Sequence, residues 1–101
     1  MFTIHIEPEA KEDIQSGIDW YNKQQAGLGK SFHKHVKTQI DKLKKQPFYQ
    51  VRYDNVHCLP LHKFPYLIHY TINETERLIT IRAVFNTSRD PKIWLKRKKK
   101  Y

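Results

Sequence analysis

The sequence contains little of several features on which small proteins often rely. Its one cysteine, Cys58, excludes an internal disulfide and every multi-cysteine metal site. No run approaches the roughly 18 apolar residues that span a bilayer, and the N-terminus lacks the basic start and apolar stretch of a signal peptide. These absences exclude a disulfide-stapled scaffold and predict a cytoplasmic protein without a membrane segment.

Acidic residues are also scarce. The chain has 10 Asp and Glu against 19 Lys and Arg, a formal net charge of +9. Much of the excess lies in residues 30–45 and in the block Lys96–Lys100. Such a charge attracts a polyanion or an acidic protein and accelerates association at low salt. The charge therefore predicts the sign of the partner but not its identity.

The chain is long enough for one packed core and too short for two. Its 101 residues match the common domain size, and 39% of them are hydrophobic. We expect a single domain over residues 1–101 with a basic tail at 96–101.

The first half of the chain has the periodicity of one strand and two helices. Phe2, Ile4 and Ile6 alternate with polar residues, which predicts a half-buried strand. Residues 8–25 then have helical spacing, with Pro8 in the first turn. A Gly27–Gly29 connection leads to a second helix, which is predicted to end at Pro47 and to bury Phe32, Val36, Ile40 and Leu43.

From Val51 the periodicity becomes extended. Three alternating apolar runs predict three strands, and the polar turn Asn73–Glu76 makes the last two an antiparallel hairpin. Asp90 and Pro91 are predicted to start a short last helix that carries Trp94. The fold class is therefore α+β: an N-terminal strand, a helical hairpin, a three-stranded antiparallel meander and a short C-terminal helix.

Strand alternation predicts which side chains face away from the helices. If the odd residues Ile79–Phe85 face the helices, then the even residues face the other way, namely Thr80, Arg82, Val84 and Asn86. The same reasoning places His69 on that face, with Arg89 and Trp94 near its end. Imidazole, guanidinium and indole groups together suit phosphodiester cleavage or single-stranded nucleic-acid binding. Half-exposed sheets also carry such residues without any catalytic role.

The histidine spacing does not predict a metal site. His33 and His35 lie two apart on a predicted helix, so they point in different directions, and His5 has no nearby partner. No cysteine motif surrounds Cys58, which is expected to be a small buried residue without a role in chemistry. We expect neither a metal nor a cofactor.

Several motifs in this order resemble the RelE/ParE superfamily of toxins, and more narrowly its ParE-like, plasmid-stabilisation branch. The resemblance covers nearly the whole chain, from the first strand to Trp94. The residues that carry it are Trp20-Tyr21, Gln25, Gly27–Phe32, Lys63–Tyr66, Tyr70, Ala83–Phe85, Arg89–Pro91 and Trp94. It implies the toxin of a type II toxin-antitoxin pair, with a RelE/ParE-like fold and a cognate antitoxin as partner.

The resemblance implies one of two activities. RelE-like toxins cut messenger RNA on the ribosome, whereas ParE-like toxins poison DNA gyrase. Leu67 stands where RelE-like members usually carry arginine, and Trp94 falls near their terminal tyrosine. These departures favour the ParE-like, non-enzymatic activity. If the chain is a ribosome-dependent endoribonuclease instead, His57, Arg82 and Arg89 are its candidate catalytic residues. A third hypothesis is nucleic-acid binding through the lysine-rich tail.

Overall fold

The computed structural model of the chain describes residues 1–49, 51–53 and 55–88, and for 51–53 it describes the backbone alone. The elements, in chain order, are β1 (Thr3–Ile6), α1 (Pro8–Gln24), α2 (Leu28–Leu43), β2 (Val51–Tyr53), β3 (Val56–Pro60), β4 (Tyr66–Asn73) and β5 (Leu78–Asn86). The predicted helix at Asp90 to Trp94 and the tail 96–101 lie outside the described residues.

The two helices form where the apolar periodicity predicted them. Pro8 occupies the first turn of α1, where its missing N–H leaves no broken hydrogen bond. The buried side of α2 includes the four predicted residues, namely Phe32, Val36, Ile40 and Leu43. The helix ends at Leu43 rather than at Pro47, because the Lys44 N–H bonds to the Asp41 carbonyl and tightens the last turn.

Two glycines allow the close packing of α1 and α2, one in the connection between them and one within α1. Gly27 has φ +88, a left-handed conformation that glycine adopts without steric cost. A Cβ on Gly17 would lie 2.5 Å from Cε2 of the buried Phe32 ring. The two helices therefore approach so closely that a methyl group does not fit between them at this point.

The five strands of the described residues belong to one sheet in the order β1-β5-β4-β3-β2. β1 pairs with β5 in parallel, and the other neighbours are antiparallel. The predicted hairpin is confirmed, whereas β2 is a short additional strand that the apolar alternation did not predict. The core lies between the helices and one face of this sheet, where Phe32, Ile68, Tyr70 and Ile81 are almost completely buried.

A β-bulge at Arg82 reverses the alternation along β5. His69 pairs with Ala83 while Tyr70 pairs with Ile81, so Arg82 is the extra residue. Beyond the bulge, Val84 joins the helix-side core, and Ala83 moves to the opposite face. The predicted orientation is therefore correct for Ile79 and Ile81 and wrong for the odd residues Ala83 and Phe85 and for the even residues Val84 and Asn86.

Two hydrogen bonds attach the sheet to α2 and to the segment that follows it. The Tyr70 hydroxyl donates to the Pro47 carbonyl at 2.7 Å, and the Gln39 side-chain amide donates to the Pro60 carbonyl at 2.7 Å. Burial raises the pKa of Tyr70, so its hydroxyl stays protonated and remains a donor. Both bonds fix α2 relative to β3 and β4.

Candidate partner-binding site

Arg82 lies on the face of the sheet that the two helices leave free, as predicted. Its Nε donates to Thr71 Oγ1 at 3.1 Å, and one terminal nitrogen contacts Glu7 Oε1 at 3.0 Å. The arginine side chain is 23% exposed and that of Glu7 35%. The guanidinium is therefore held in a partly solvated ion pair that joins β4 and β5 to the end of β1.

His57 lies on the opposite face of the same sheet. Its ring stacks on the core residue Tyr70 with centroids 5.3 Å apart, and its Nδ1 is 2.6 Å from the Tyr49 carbonyl. Because Tyr70 and Thr71 are consecutive on β4, their side chains point to opposite faces. The structure therefore does not bring His57 and Arg82 together. Arg89, the third candidate, lies outside the described residues.

His69 is completely buried, which contradicts its predicted exposure. Its ring meets Phe85 edge to face at 5.2 Å, and its Nδ1 lies 3.6 Å from Cys58 Sγ. The bulge turns Ala83 and Phe85 toward this side of the sheet, and the Phe85 ring therefore covers one edge of the imidazole. Cys58 itself is 4% exposed, which confirms the prediction of a small buried residue.

An apolar groove opens between β1 and the two helices, with a volume of about 380 Å³. We call it the isoleucine groove. Its lining combines partly buried side chains of β1 and α1 with the flank of α2, and consists of Ile4, Ile6, Ile14, His33, Val36, Lys37, Ile40, Asp41 and Lys44. Three of these residues, Ile4, Ile6 and Ile14, are only partly buried, so the groove offers apolar surface to a partner.

The free edge of β1 borders this groove. β1 is the first strand of the sheet order, and no other described strand pairs with its outer edge. Thr3 donates its backbone N–H to the carbonyl of Arg77, just before β5, and Glu7 donates to that of Ile81 in β5. The alternating residues Ile4 and Ile6 therefore direct their N–H groups outward. An unpaired edge of this kind accepts an added strand.

The rim of the isoleucine groove is basic. Lys37 and Lys44 lie on it, and Asp41, the one carboxylate of the lining, is 3.6 Å from Lys44 Nζ. This partial neutralisation leaves one net positive charge, and further lysines continue along the outer surface of α2. The groove therefore matches an acidic segment with an apolar side.

No three His, Cys, Asp or Glu side chains of residues 1–49, 51–53 and 55–88 converge as a metal site. No described helix is both long and apolar enough to cross a bilayer. The prediction that the chain uses neither metal nor cofactor stays a prediction.

The sequence pattern predicted the apolar residues of the isoleucine groove only as core residues. Val36 and Ile40 are indeed buried, but their flank toward β1 lines an open cleft. The one indication in the sequence was the first strand, where the apolar residues Ile4 and Ile6 lie on what proves to be the edge of the sheet. The groove was not predicted, because the spacing of apolar residues is the same whether they pack in the core or line an open groove.

Comparison with solved structures finds the same fold in three chains. A chain of a chromosomal ParDE system from P. aeruginosa has a TM-score of 0.77 at 14% identity, over 87% of this chain and 98% of that one. A chain of the intact E. coli RelBE toxin-antitoxin complex has a TM-score of 0.67 at 12% identity, over 88% of this chain and 100% of that one. The isolated E. coli RelE toxin has a TM-score of 0.66 at 10% identity, over 100% of both chains. At these identities the likeness establishes the fold alone.

The family assignment comes from the sequence. A search of curated proteins gave no match. Residues 4–91, however, match the family described as ParE toxin of type II toxin-antitoxin system, parDE. This match covers most of the chain and agrees with the helical hairpin, the meander and the parallel first strand. The chain belongs to the ParE toxin family of type II toxin-antitoxin systems.

Proposed function

We propose that this protein acts in the cytoplasm as a growth-arresting toxin that binds DNA gyrase, and that an acidic cognate antitoxin holds it inactive. The observation that carries the choice of a binding toxin over a nuclease is the separation of His57 and Arg82 on opposite faces of the sheet. Poisoning of gyrase is the activity that the ParE-like resemblance implies.

Phosphodiester cleavage needs a proton-transferring group and a phosphate-holding cation near the same reacting atoms. His57 directs its Nδ1 to a backbone carbonyl, and Arg82 directs its guanidinium to Glu7 and Thr71 across the sheet. Neither pair of contacts places the two side chains around one phosphate. This arrangement supports a toxin that works by binding.

The isoleucine groove supports an antitoxin as partner. The related ParDE and RelBE structures are toxin-antitoxin assemblies. A disordered acidic segment that folds on binding can place apolar side chains in such a groove, and add a strand to β1 or a helix beside α2. Its charge would speed the encounter with this basic chain, and apolar burial would hold the complex.

Induced expression of the chain alone should arrest growth, and co-expression of the acidic product of the adjoining reading frame should relieve the arrest. We expect His57→Ala, Arg82→Ala and Arg89→Ala each to remain toxic, because binding to gyrase does not require a nuclease site. Growth curves and the induction of a DNA-damage reporter measure both effects.

The melting temperature of each variant is the control for folding, since Arg82→Ala breaks the ion pair with Glu7. Arg82→Lys keeps the charge and serves as the milder replacement. Loss of toxicity in folded variants, together with cuts inside translated messages that disappear in Arg82→Ala, would instead assign the chain as a ribosome-dependent endoribonuclease.

Reversing the charge of the groove rim should slow binding of the antitoxin. We expect Lys37→Glu with Lys44→Glu to lower the association rate about tenfold or more at low salt, because steering depends on the field at the binding face. The dissociation rate should change little, since the apolar contacts remain. Stopped-flow mixing or surface plasmon resonance measures both rates.

The matched control is Lys11→Glu with Lys23→Glu, which makes the same charge change on exposed positions of α1. We expect it to have a much smaller effect. The wild-type complex should also survive 0.5 M salt; complete dissociation there would contradict the apolar part of the interface.

A further inference from the structure

A second groove runs along the other flank of α2, facing the segment between β3 and β4. We call it the lysine groove. Its volume is about 800 Å³, and four of its residues are exposed lysines, namely Lys30, Lys34, Lys42 and Lys63. Lys63 lies in the segment between β3 and β4, on the side of the groove opposite the three lysines of α2; we call these two sides its banks. The groove therefore has cations on both sides.

The lysine groove is not neutralised locally. No Asp or Glu is among its described lining residues, and none of its four lysines forms an ion pair with another described residue. Asp41, the only carboxylate of α2, points to the isoleucine groove and pairs with Lys44. The positive charge of the lysine groove is thus available to an external anion.

The spacing of the lysines fits an extended chain of phosphates. Lys30, Lys34 and Lys42 follow a four-residue repeat on one side of α2, with Thr38 at the intermediate position. The row spans about 18 Å of helix at 1.5 Å per residue. This is about the axial length of five base pairs at 3.4 Å each.

The rest of the lining favours phosphate contacts over base recognition or a protein segment. Among the described residues, no Phe, Tyr or Trp lines the groove to stack on an unpaired base. Leu61 is its only large aliphatic side chain, and it is 3% exposed. An acidic protein segment would find far more apolar surface in the isoleucine groove.

We propose that the lysine groove binds the phosphate backbone of duplex DNA, independently of sequence. The choice of DNA as the source of the phosphates rests on the proposed function, because the substrate of gyrase is duplex DNA. Since the two grooves lie on opposite flanks of α2, the site would remain open when the antitoxin occupies the isoleucine groove.

The test measures binding of the full-length chain to a fluorescently labelled duplex DNA of about 20 base pairs, by anisotropy over a range of salt concentrations. Lys34→Gln with Lys63→Gln removes one cation from each bank of the groove. Lys11→Gln with Lys23→Gln removes the same charge from α1. The basic tail is unchanged in both variants, so its contribution cancels in the comparison.

We expect the groove variant to bind about tenfold or more weakly at 0.1 M salt, and its slope of log K against log salt to fall by about 1.8, or 0.9 for each lost contact. The α1 variant should keep nearly the wild-type slope. Equal changes in both variants would overturn the proposal, because net charge alone would then explain the binding.

Two further comparisons distinguish DNA from RNA as the source of the phosphates, and distinguish this proposal from the proposed function. A single-stranded RNA of the same length should lose less affinity than duplex DNA in the groove variant; a greater loss would overturn the assignment to DNA. The binding assay contains no gyrase, so a groove-dependent DNA affinity would stand even if gyrase inhibition failed. Gyrase inhibition with no groove-dependent affinity would overturn the DNA site alone.

Discussion

Replacing Gly29 with alanine should lower the free energy of unfolding by about 3 kcal/mol and the melting temperature by about 12 °C. A Cβ at this position would lie 2.5 Å from the Ile18 carbonyl oxygen and 2.7 Å from the Asn22 side-chain amide. The first of these atoms belongs to the backbone of α1 and cannot rotate away. The helices would therefore have to move apart. The free-energy cost of such overpacking is larger than the gain of about 1 kcal/mol that alanine brings through its higher helix propensity.

The loss would also include a hydrogen bond. The Gly29 N–H donates to Asn22 Oδ1 at 2.9 Å and so ties the start of α2 to α1. Separation of the helices would lengthen this bond and leave a part-buried donor poorly satisfied. Thermal and urea unfolding, followed by circular dichroism, measure the effect.

Gly27→Ala is the matched control, because it makes the same chemical change two residues away. A Cβ there would meet no atom within 4 Å, and only the positive φ of +88 opposes it. Its cost should be about 1 to 2 kcal/mol, the penalty of the left-handed conformation. If Gly29→Ala were no more destabilising than Gly27→Ala, the close helix contact would be wrong.

Local periodicity was enough to predict most of the fold. The stripe of Phe32, Val36, Ile40 and Leu43 identifies the buried side of α2, and the alternation of β4 identifies its helix-facing residues. Both patterns arise because one side of each element contacts the core along its whole length. The sequence did not reveal the bulge at Arg82, which depends on pairing between two strands rather than on the residues of one.

The candidate site was harder to predict than the fold. Arg82 was placed on the correct face because it is the bulged residue itself, whereas Val84, two residues later, was placed on the wrong one. His69 looked like an exposed polar residue, but it is buried and contacts Phe85 and Cys58 on neighbouring strands, which its own strand pattern does not reveal. The isoleucine groove depends on which edge of the sheet is left unpaired, and a single strand pattern does not contain that information.

The largest functional effect is expected with purified components, because the proposed activity and its alternative have different targets. A gyrase-binding toxin changes the topology of a plasmid and leaves messages intact. A ribosome-dependent nuclease does the reverse. Growth arrest alone does not separate the two, since either activity stops division.

The most direct measurement adds the purified chain to a gyrase supercoiling reaction and, in parallel, to a ribosome translating a defined message. We predict that supercoiling is lost and cleaved DNA accumulates on gyrase, that added antitoxin restores supercoiling, and that primer extension finds the message uncut. Cuts in the message at the ribosome, with supercoiling unaffected, would contradict a toxin that acts by binding gyrase.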